Sequence, residues 1–178
     1  IKISSSAVYP KVCIIDPELA IGMPKQIVLT TGLDAVNQAA ESIWNKNLTP
    51  SNLDLSLNAF IKGFDTLPLL INDLENLKLW ELMAECSLMS GLAISQTKTA
   101  LCHSISYPLT IHFDIPHGLA CAFSMPSVLN FCLEYDDGRF KKLAKLIGNE
   151  ENYKQFLVQK FIGFNNQFDV KKTIKTYI

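Results

Sequence analysis

Residues 99–118, TALCHSISYPLTIHFDIPHG, contain every histidine of this 178-residue chain: His103, His112 and His117. His103 and His117 lie on either side of the segment SYPLTIHFDIP, whose two prolines favour a linker that folds back between two helices. Such a reversal would bring the two imidazoles together, and converging neutral imidazoles are common ligands of divalent transition metals. Buried structural histidines are also common, so the histidines alone leave both interpretations open.

The overall composition predicts a single domain with a covered surface. Hydrophobic residues make up 48% of the chain and charged residues 19%, which is slightly apolar for a free-standing domain and indicates contact with another domain or subunit. The formal net charge of -1 offers no basic field for phosphate backbones, so we expect no nucleic-acid partner. The sequence contains no run of about eighteen apolar residues and its start lacks a signal-peptide pattern, so neither a membrane span nor secretion is expected.

The cysteines predict a reducing compartment, for which the cytoplasm fits best. They form an odd set without a C-x-x-C pair, and each lies among apolar neighbours, which is typical of small buried thiols. The five are Cys13, Cys86, Cys102, Cys121 and Cys132.

The secondary-structure pattern predicts one strand followed by helices. Residues 12–15, a short run rich in β-branched residues between Pro10 and Pro17, predict a buried strand, and the chain after Pro24 has helical periodicity. A lone strand has no hydrogen-bonding neighbour within the chain. We therefore expect residues 1–23 to be a strand and linker left from another domain, and residues 24–178 to be an all-helical domain.

Several helices are expected in that domain. The first carries apolar residues at spacings of three and four, and Gly32 within it predicts a kink or a close approach of another group. Further helices are expected from Thr49, over residues 76–94, over 117–135 with a bend or an interruption at Pro126, and over 136–147 with an end at Gly148. The polar tail after residue 148 is expected to be only weakly helical.

Asp34 is a third candidate for a functional side chain. It lies in a helix that is otherwise small and apolar, and Gln38 follows one turn later on the same face. A solvated helix face would also explain a carboxylate here. The apolar neighbours Leu33, Ala35 and Val36 leave little polar surface, however, so we expect Asp34 to have a specific partner.

The segments IIDPEL, MPKQIVLTTGLDAVNQAAES and GLAISQTKTALCHSISYPLTIHFDIPHGLACAFSMPSVLNF resemble the iron-containing (group III) alcohol dehydrogenases. That family has the pattern D-P-x-L, G-x-D-A-x-x-H-A-x-E, H-x-x-x-H-P-L-G and P-H-G, and the resemblance covers about residues 10–147. It implies a mainly α structure: the helical, metal-binding half of a dehydroquinate synthase-like fold. The family's Gly-rich pyrophosphate-binding segment is not found in these 178 residues, so the isolated chain is expected to be inactive.

By position, the resemblance implies Asp34, His103 and His117 as metal ligands, with Fe²⁺ or Zn²⁺ as the metal. The family's remaining histidine ligand falls on Gln38, whose neutral amide oxygen is a weaker donor than imidazole. Three outcomes stay open: the metal is held by three ligands with Gln38 or water as the fourth, it is not iron, or it is lost.

Three other residues near these motifs have competing interpretations. Tyr107 replaces a histidine that many family members have near the substrate, and it serves either in a proton relay or in packing beside Pro108. Lys98 is either a counter-charge for an anionic substrate or a solvated side chain. His112 has no counterpart among the ligands and is expected to face solvent or a loop.

The resemblance implies a metal-dependent, NAD(P)-linked alcohol dehydrogenase or aldehyde reductase that is cytoplasmic and, at full length, dimeric. The segment TKTALCHSISYPLT together with Gln38 looks most like the branch that includes phosphonoacetaldehyde reductases, so a small anionic aldehyde is the expected substrate. A polyol or sugar-acid oxidoreductase is one alternative. A non-catalytic helical module that has lost the metal is the other.

Overall fold

A computed structural model describes residues 8–149 and 151–178, and this part of the chain is a bundle of eight α-helices without a strand. The mainly α fold class is therefore confirmed. A short 3-10 helix, Pro17–Ala20, comes before the first α-helix, and a second, Leu133–Tyr135, follows the fifth. The α-helices are α1 (Lys25–Ile43), α2 (Pro50–Asn72), α3 (Leu77–Thr97), α4 (Leu101–Phe113), α5 (His117–Cys132), α6 (Arg139–Leu146), α7 (Tyr153–Gln167) and α8 (Val170–Ile174).

The strand predicted for residues 12–15 is wrong. These residues adopt neither strand nor helix, and Val12 and Ile14 are 77% and 87% exposed rather than buried. A strand needs a neighbour for its backbone N–H and C=O groups, and the described residues contain no second strand to provide one. Residues 1–7 of the expected linker lie outside the described residues.

Helix α1 lies at the centre of the bundle and packs against α2, α3 and α5. Leu33, Val36 and Ile43 are fully buried along it, as the spacing of three and four predicts. Of the two alternatives predicted for Gly32, a kink or a close approach, the structure supports the close approach. Helix α1 continues through Gly32, and a Cβ there would overlap the side chain of Leu67 on α2.

The predicted helix starts are confirmed at α2 and α3. The Thr49 hydroxyl accepts a hydrogen bond from the Asn52 N–H, with Pro50 at the first helical position, and the Asn76 side chain accepts one from the Leu79 N–H. These caps satisfy N–H groups that have no partner within the helix.

The segment between His103 and His117 differs from the predicted linker. Most of it is helix, because α4 runs through Pro108 to Phe113, and the reversal is confined to residues 114–116. A proline inside a helix removes one backbone hydrogen bond, a loss that tertiary packing can outweigh. Asp114 ends α4 in a left-handed conformation, with φ of 55°.

The C-terminal tail is more ordered than its polarity predicts. Helix α6 begins at Arg139, after a 3-10 turn, and ends shortly before Gly148. Helix α7 then buries Leu157, Phe161 and Phe164 at spacings of four and three. That stripe packs the tail against the rest of the bundle, so the tail is not weakly helical.

The cysteines are all free thiols, but their burial is not uniform. Cys86, Cys102 and Cys121 are buried as predicted, Cys132 is half-buried, and Cys13 is exposed because its segment lies outside the bundle. Among the residues that the structure describes, no helix is both long and apolar enough to cross a lipid bilayer.

Candidate metal centre

Helices α1, α4 and α5 bring Asp34, His103 and His117 together. His103 Nε2 lies 3.4 Å from Asp34 Oδ1, and His117 Nε2 lies 3.7 Å from the same oxygen. Cys121 follows His117 by one turn of α5, and its Sγ lies 3.8 Å from His117 Nε2. The four ligand atoms all lie within 4.8 Å of one another, and these four residues are called the cluster below.

Gly118 explains why the first turn of α5 reaches α1. A Cβ at this position would overlap the backbone carbonyl oxygen of Thr30 and would lie 3.0 Å from Asp34 Cβ. Since a backbone atom cannot move aside as a flexible side chain can, this approach requires glycine. The absence of a side chain at Gly118 therefore places His117 beside Asp34.

Glu41 holds His103 and the start of α4. Its fully buried carboxylate accepts hydrogen bonds from the Ala100 N–H at 2.8 Å, from the Cys102 N–H, and from His103 Nδ1 at 2.6 Å. A carboxylate paired in this way also satisfies N–H groups at the start of the helix, where Ala100 has no capping side chain. Because the carboxylate only accepts, Nδ1 of His103 carries the hydrogen and Nε2 faces Asp34.

Ser106 orients His117 as Glu41 orients His103, through a hydrogen bond with Nδ1 of the imidazole. Its hydroxyl donates to the carbonyl oxygen of His103 at 2.7 Å and lies 3.1 Å from His117 Nδ1. A serine hydroxyl has one hydrogen, so Ser106 accepts the hydrogen bond from His117 Nδ1–H. The lone pair of neutral His117 is then on Nε2, toward Asp34.

The two oxygens of Asp34 have different surroundings. Oδ2 accepts a hydrogen bond from Gln38 Nε2 at 2.9 Å, whereas Oδ1 is buried and accepts none. A buried oxygen without a donor costs free energy, and this one faces two imidazole nitrogens. Carboxylate and imidazole donors aimed at a common point fit a divalent ion such as Fe²⁺ or Zn²⁺.

The charges around His103 favour a cation at this point. Burial alone would lower the pKa of His103, but the carboxylates of Asp34 and Glu41 beside its two nitrogens raise it to about 9. Burial would raise the pKa of Glu41, yet the hydrogen bonds and charge of His103 and the N–H groups of α4 hold it below its ordinary value. Burial raises the pKa of Cys121 to about 12. A positive charge, carried by a proton or by a metal, is therefore stabilised beside Asp34.

The other predicted residues have different relations to the cluster. Tyr107 is half-exposed and its ring stacks on His117, with ring centroids 6.1 Å apart. His112 is exposed in the last turn of α4, as predicted. Lys98 is exposed at the end of α3, and its carbonyl oxygen accepts a hydrogen bond from the Asn45 side chain.

The sequence prediction assigned no role to Glu41, Ser106 or Cys121. A spacing signal exists for each of them: Glu41 is two helical turns after Asp34, Ser106 is one turn after His103, and Cys121 is one turn after His117. Glu41 also matches the last letter of the D-A-x-x-H-A-x-E pattern. Residues three, four or seven apart share a helix face, so each lies on the same face as a candidate ligand.

The chain is similar to several alcohol and aldehyde oxidoreductases. The NAD-dependent methanol dehydrogenase of Bacillus methanolicus is 31% identical over 141 residues, which are 79% of this chain and 37% of that protein. The phosphonoacetaldehyde reductase of Streptomyces viridochromogenes is 28% identical over 131 residues, which are 74% of this chain and 33% of that protein. The chain therefore spans less than half the length of either relative.

One solved structure and one family model agree with these similarities. The crystal structure of sulfoacetaldehyde reductase from Bifidobacterium kashiwanohense in complex with NAD⁺ matches with a TM-score of 0.87 and 30% identity, covering 93% of this chain and 43% of that one. The family described as Fe-containing alcohol dehydrogenase, C-terminal, matches residues 28–177. Since this match extends over well more than half of the chain, the protein belongs to the Fe-containing alcohol dehydrogenase family and corresponds to its C-terminal part.

Proposed function

We propose that this chain is the metal-binding half of an NAD(P)-linked alcohol dehydrogenase or aldehyde reductase, with Fe²⁺ or Zn²⁺ and NAD(P)H as cofactors. The observation that carries the proposal is the convergence of His103 Nε2 and His117 Nε2 on Asp34 Oδ1, a buried oxygen that accepts no hydrogen bond. The relatives named above support the reaction class.

Asp34, His103 and His117 would hold the metal, and each residue's environment prepares it for that role. A bound divalent ion would supply a Lewis acid that polarises the substrate carbonyl while the nicotinamide transfers hydride. Glu41 and Ser106 present the Nε2 lone pairs of His103 and His117 by holding hydrogen on Nδ1. Gln38 orients Asp34 by donating to Oδ2, so that Oδ1 faces the imidazoles.

Tyr107 is proposed as the group that moves a proton between the substrate oxygen and solvent. Its half-exposed ring stacked on His117 is in contact with both the cluster and water. Tyr107→Phe removes the hydroxyl and keeps the ring, so it should lower turnover and leave metal affinity unchanged.

The proposed substrate is a small anionic aldehyde such as phosphonoacetaldehyde, with Lys98 as its counter-charge. Two of the relatives named above are reductases of aldehydes whose names specify a phosphonate or sulfonate group. Lys98→Glu in the full-length enzyme should raise KM for phosphonoacetaldehyde and leave KM for a neutral aldehyde unchanged. Lys171→Glu, a substitution of an exposed lysine on α8, is the control.

Metal titration with elemental analysis tests the central proposal. The protein should bind about one equivalent of Fe²⁺ or Zn²⁺, and Asp34→Asn, His103→Ala and His117→Ala should each abolish stoichiometric binding. His112→Ala is the matched control, because it removes an exposed histidine of the same segment. A protein that binds no divalent metal would contradict the proposal and would favour a helical module without catalysis.

The full-length protein is further proposed to be a cytoplasmic dimer. The free thiols of the present chain agree with a reducing compartment. Light scattering on the purified full-length protein tests the subunit number. Substrate profiling with polyols and sugar acids tests the alternative oxidoreductase class.

A further inference from the structure

We propose that the sulfur of Cys121 is the fourth metal ligand, giving a site of one carboxylate oxygen, two imidazole nitrogens and one thiolate sulfur that prefers Zn²⁺ to Fe²⁺. The inference rests on the metal site of the proposed function.

Three of the six separations among the ligand atoms of the cluster fall in the range of a tetrahedral zinc site. With metal–ligand bonds of about 2.0–2.3 Å, ligand atoms of such a site lie roughly 3.3–3.8 Å apart. The contacts joining Asp34 Oδ1 to His103 Nε2, Asp34 Oδ1 to His117 Nε2, and His117 Nε2 to Cys121 Sγ are 3.4, 3.7 and 3.8 Å. All pairs among the four atoms lie within 4.8 Å, so small side-chain adjustments complete the tetrahedron.

The position of Cys121 on α5 places its side chain next to that of His117. Residues four apart on a helix share a face, so the two side chains point toward the same side of α5. Cys121 is fully buried at this face, whereas the side chains of Asp34 and His117 are 25% and 37% exposed. The sulfur thus lies on the protein side of the cluster, and the opposite side is left open for substrate.

Gln38 is the rival for the fourth position, because it stands where the resemblance places a histidine. Its amide nitrogen, however, donates to Asp34 Oδ2, the carboxylate oxygen that does not face the imidazoles. An amide oxygen is also a weaker donor toward Zn²⁺ than a thiolate. The contacts therefore make Gln38 a positioning residue for Asp34 and leave the fourth ligand position to Cys121.

Metal binding by Cys121 releases one proton. The S–H bond of Cys121 breaks as the S–metal bond forms, the electron pair stays on sulfur, and the proton passes to solvent, since a metal deprotonates a thiol that coordinates it. Soft thiolate donors select Zn²⁺, and affinity generally rises from Fe²⁺ to Zn²⁺ for a given site. Both effects favour Zn²⁺ here.

Cobalt(II) titration of the protein is the direct test, because thiolate ligation produces an intense near-ultraviolet charge-transfer band that nitrogen and oxygen ligands do not. The band should appear in the wild type and in Cys132→Ser, a control thiol on the same helix outside the cluster. It should disappear in Cys121→Ser, whose Zn²⁺ affinity should fall by at least roughly 10–100-fold, because that loss is typical even of removing a residue that only hydrogen-bonds to a ligand.

Zinc-edge X-ray absorption of the wild type keeps the test decisive if Cys121→Ser fails to fold, because one sulfur scatterer is expected without any substitution. Cobalt binding without the band, a spectrum with no sulfur scatterer, or a band that persists in folded Cys121→Ser would overturn the Cys121 ligand while leaving the proposed function intact. Absence of any metal binding would overturn both.

Discussion

Helix α1 contributes to two regions that are held together in different ways. Its middle carries Asp34 of the cluster, while Trp44 at its end belongs to an aromatic corner formed with Phe60, Phe64, Phe161 and Phe164. In that corner Phe60 and Phe161 stack with ring centroids 5.1 Å apart, and Phe64 and Phe164 do so at 4.4 Å. The aromatic corner buries apolar surface, whereas the cluster depends on directed hydrogen bonds.

Because of this difference, the aromatic corner contributes to stability and the cluster contributes to ligand binding. Apolar contact is non-directional and roughly proportional to buried area, so the aromatic corner contributes to the free energy of unfolding without specifying any ligand. The cluster leaves Asp34 Oδ1 without a donor and contributes little stability by itself. Substitutions in the two regions should therefore change different measurements.

The largest expected effect is in the aromatic corner. Phe161→Ala removes a fully buried ring that contacts three other aromatic side chains, and it should lower the free energy of unfolding by about 3–5 kcal/mol. Denaturant unfolding measures the change. Phe131→Ala, which removes a ring that is 53% exposed, is the control. A large change in the metal affinity of folded Phe161→Ala would break the separation between the two regions.

Gly118→Ala links the regions, since it should affect both measurements. The added methyl group meets the Thr30 carbonyl, so we expect about 1–3 kcal/mol of destabilisation and a weaker metal site as α5 moves away from Asp34. Thermal unfolding and zinc titration test this. Gly163→Ala on α7 is the control, because a Cβ there meets nothing within 4 Å and should be tolerated or stabilising. Equal behaviour of the two variants would contradict the close approach.

Glu41→Gln should weaken both metal binding and the cap at the start of α4. A glutamine has one acceptor oxygen for the three donors that Glu41 now satisfies, so His103 loses its fixed orientation. Zn²⁺ affinity measured by calorimetry should fall roughly 10–100-fold. Glu134→Gln, at an exposed carboxylate, should leave it unchanged. Unaltered affinity in folded Glu41→Gln would limit Glu41 to capping α4.

The smallest effect is expected for Ser106→Ala. It removes the acceptor for His117 Nδ1–H but leaves His103 and Glu41 in place, so the loss of Zn²⁺ affinity should be about 10-fold, at the lower end of the same range. Ser104→Ala is matched to it, because Ser104 is an exposed serine of α4 that bonds only to the backbone of its own helix. Identical Zn²⁺ affinities for the two variants would show that Ser106 does not contribute to the metal site.

The helices were predictable where local signals act within one element. The apolar stripe through Leu33, Val36 and Ile43 and the cap at Thr49 are properties of neighbouring residues, and both are confirmed. The prediction of a strand at residues 12–15 was wrong because a strand forms only where another segment pairs with its backbone N–H and C=O groups. The tail was underestimated because its aromatic stripe gains stability from packing on the bundle and not from helix propensity.

The membership in the Fe-containing alcohol dehydrogenase family was also predictable, since ordered motifs around Asp34, His103 and His117 carry it, and the family match confirms it. The parts that Glu41, Ser106 and Cys121 play around these residues were not predictable. Spacing along a helix places Glu41, Ser106 and Cys121 on the same faces as those three residues, but it does not state which helix each face meets.

By itself, the sequence determined the helical periodicity and the caps and predicted Asp34, His103 and His117 as candidate ligands, because these depend on local chemistry and spacing. Only the tertiary structure decided that Glu41 holds His103, that Ser106 orients His117, and that Cys121 completes the cluster. The physical reason is that contacts between helices depend on how closely their backbones approach, and here that distance is set where Gly118 meets Thr30.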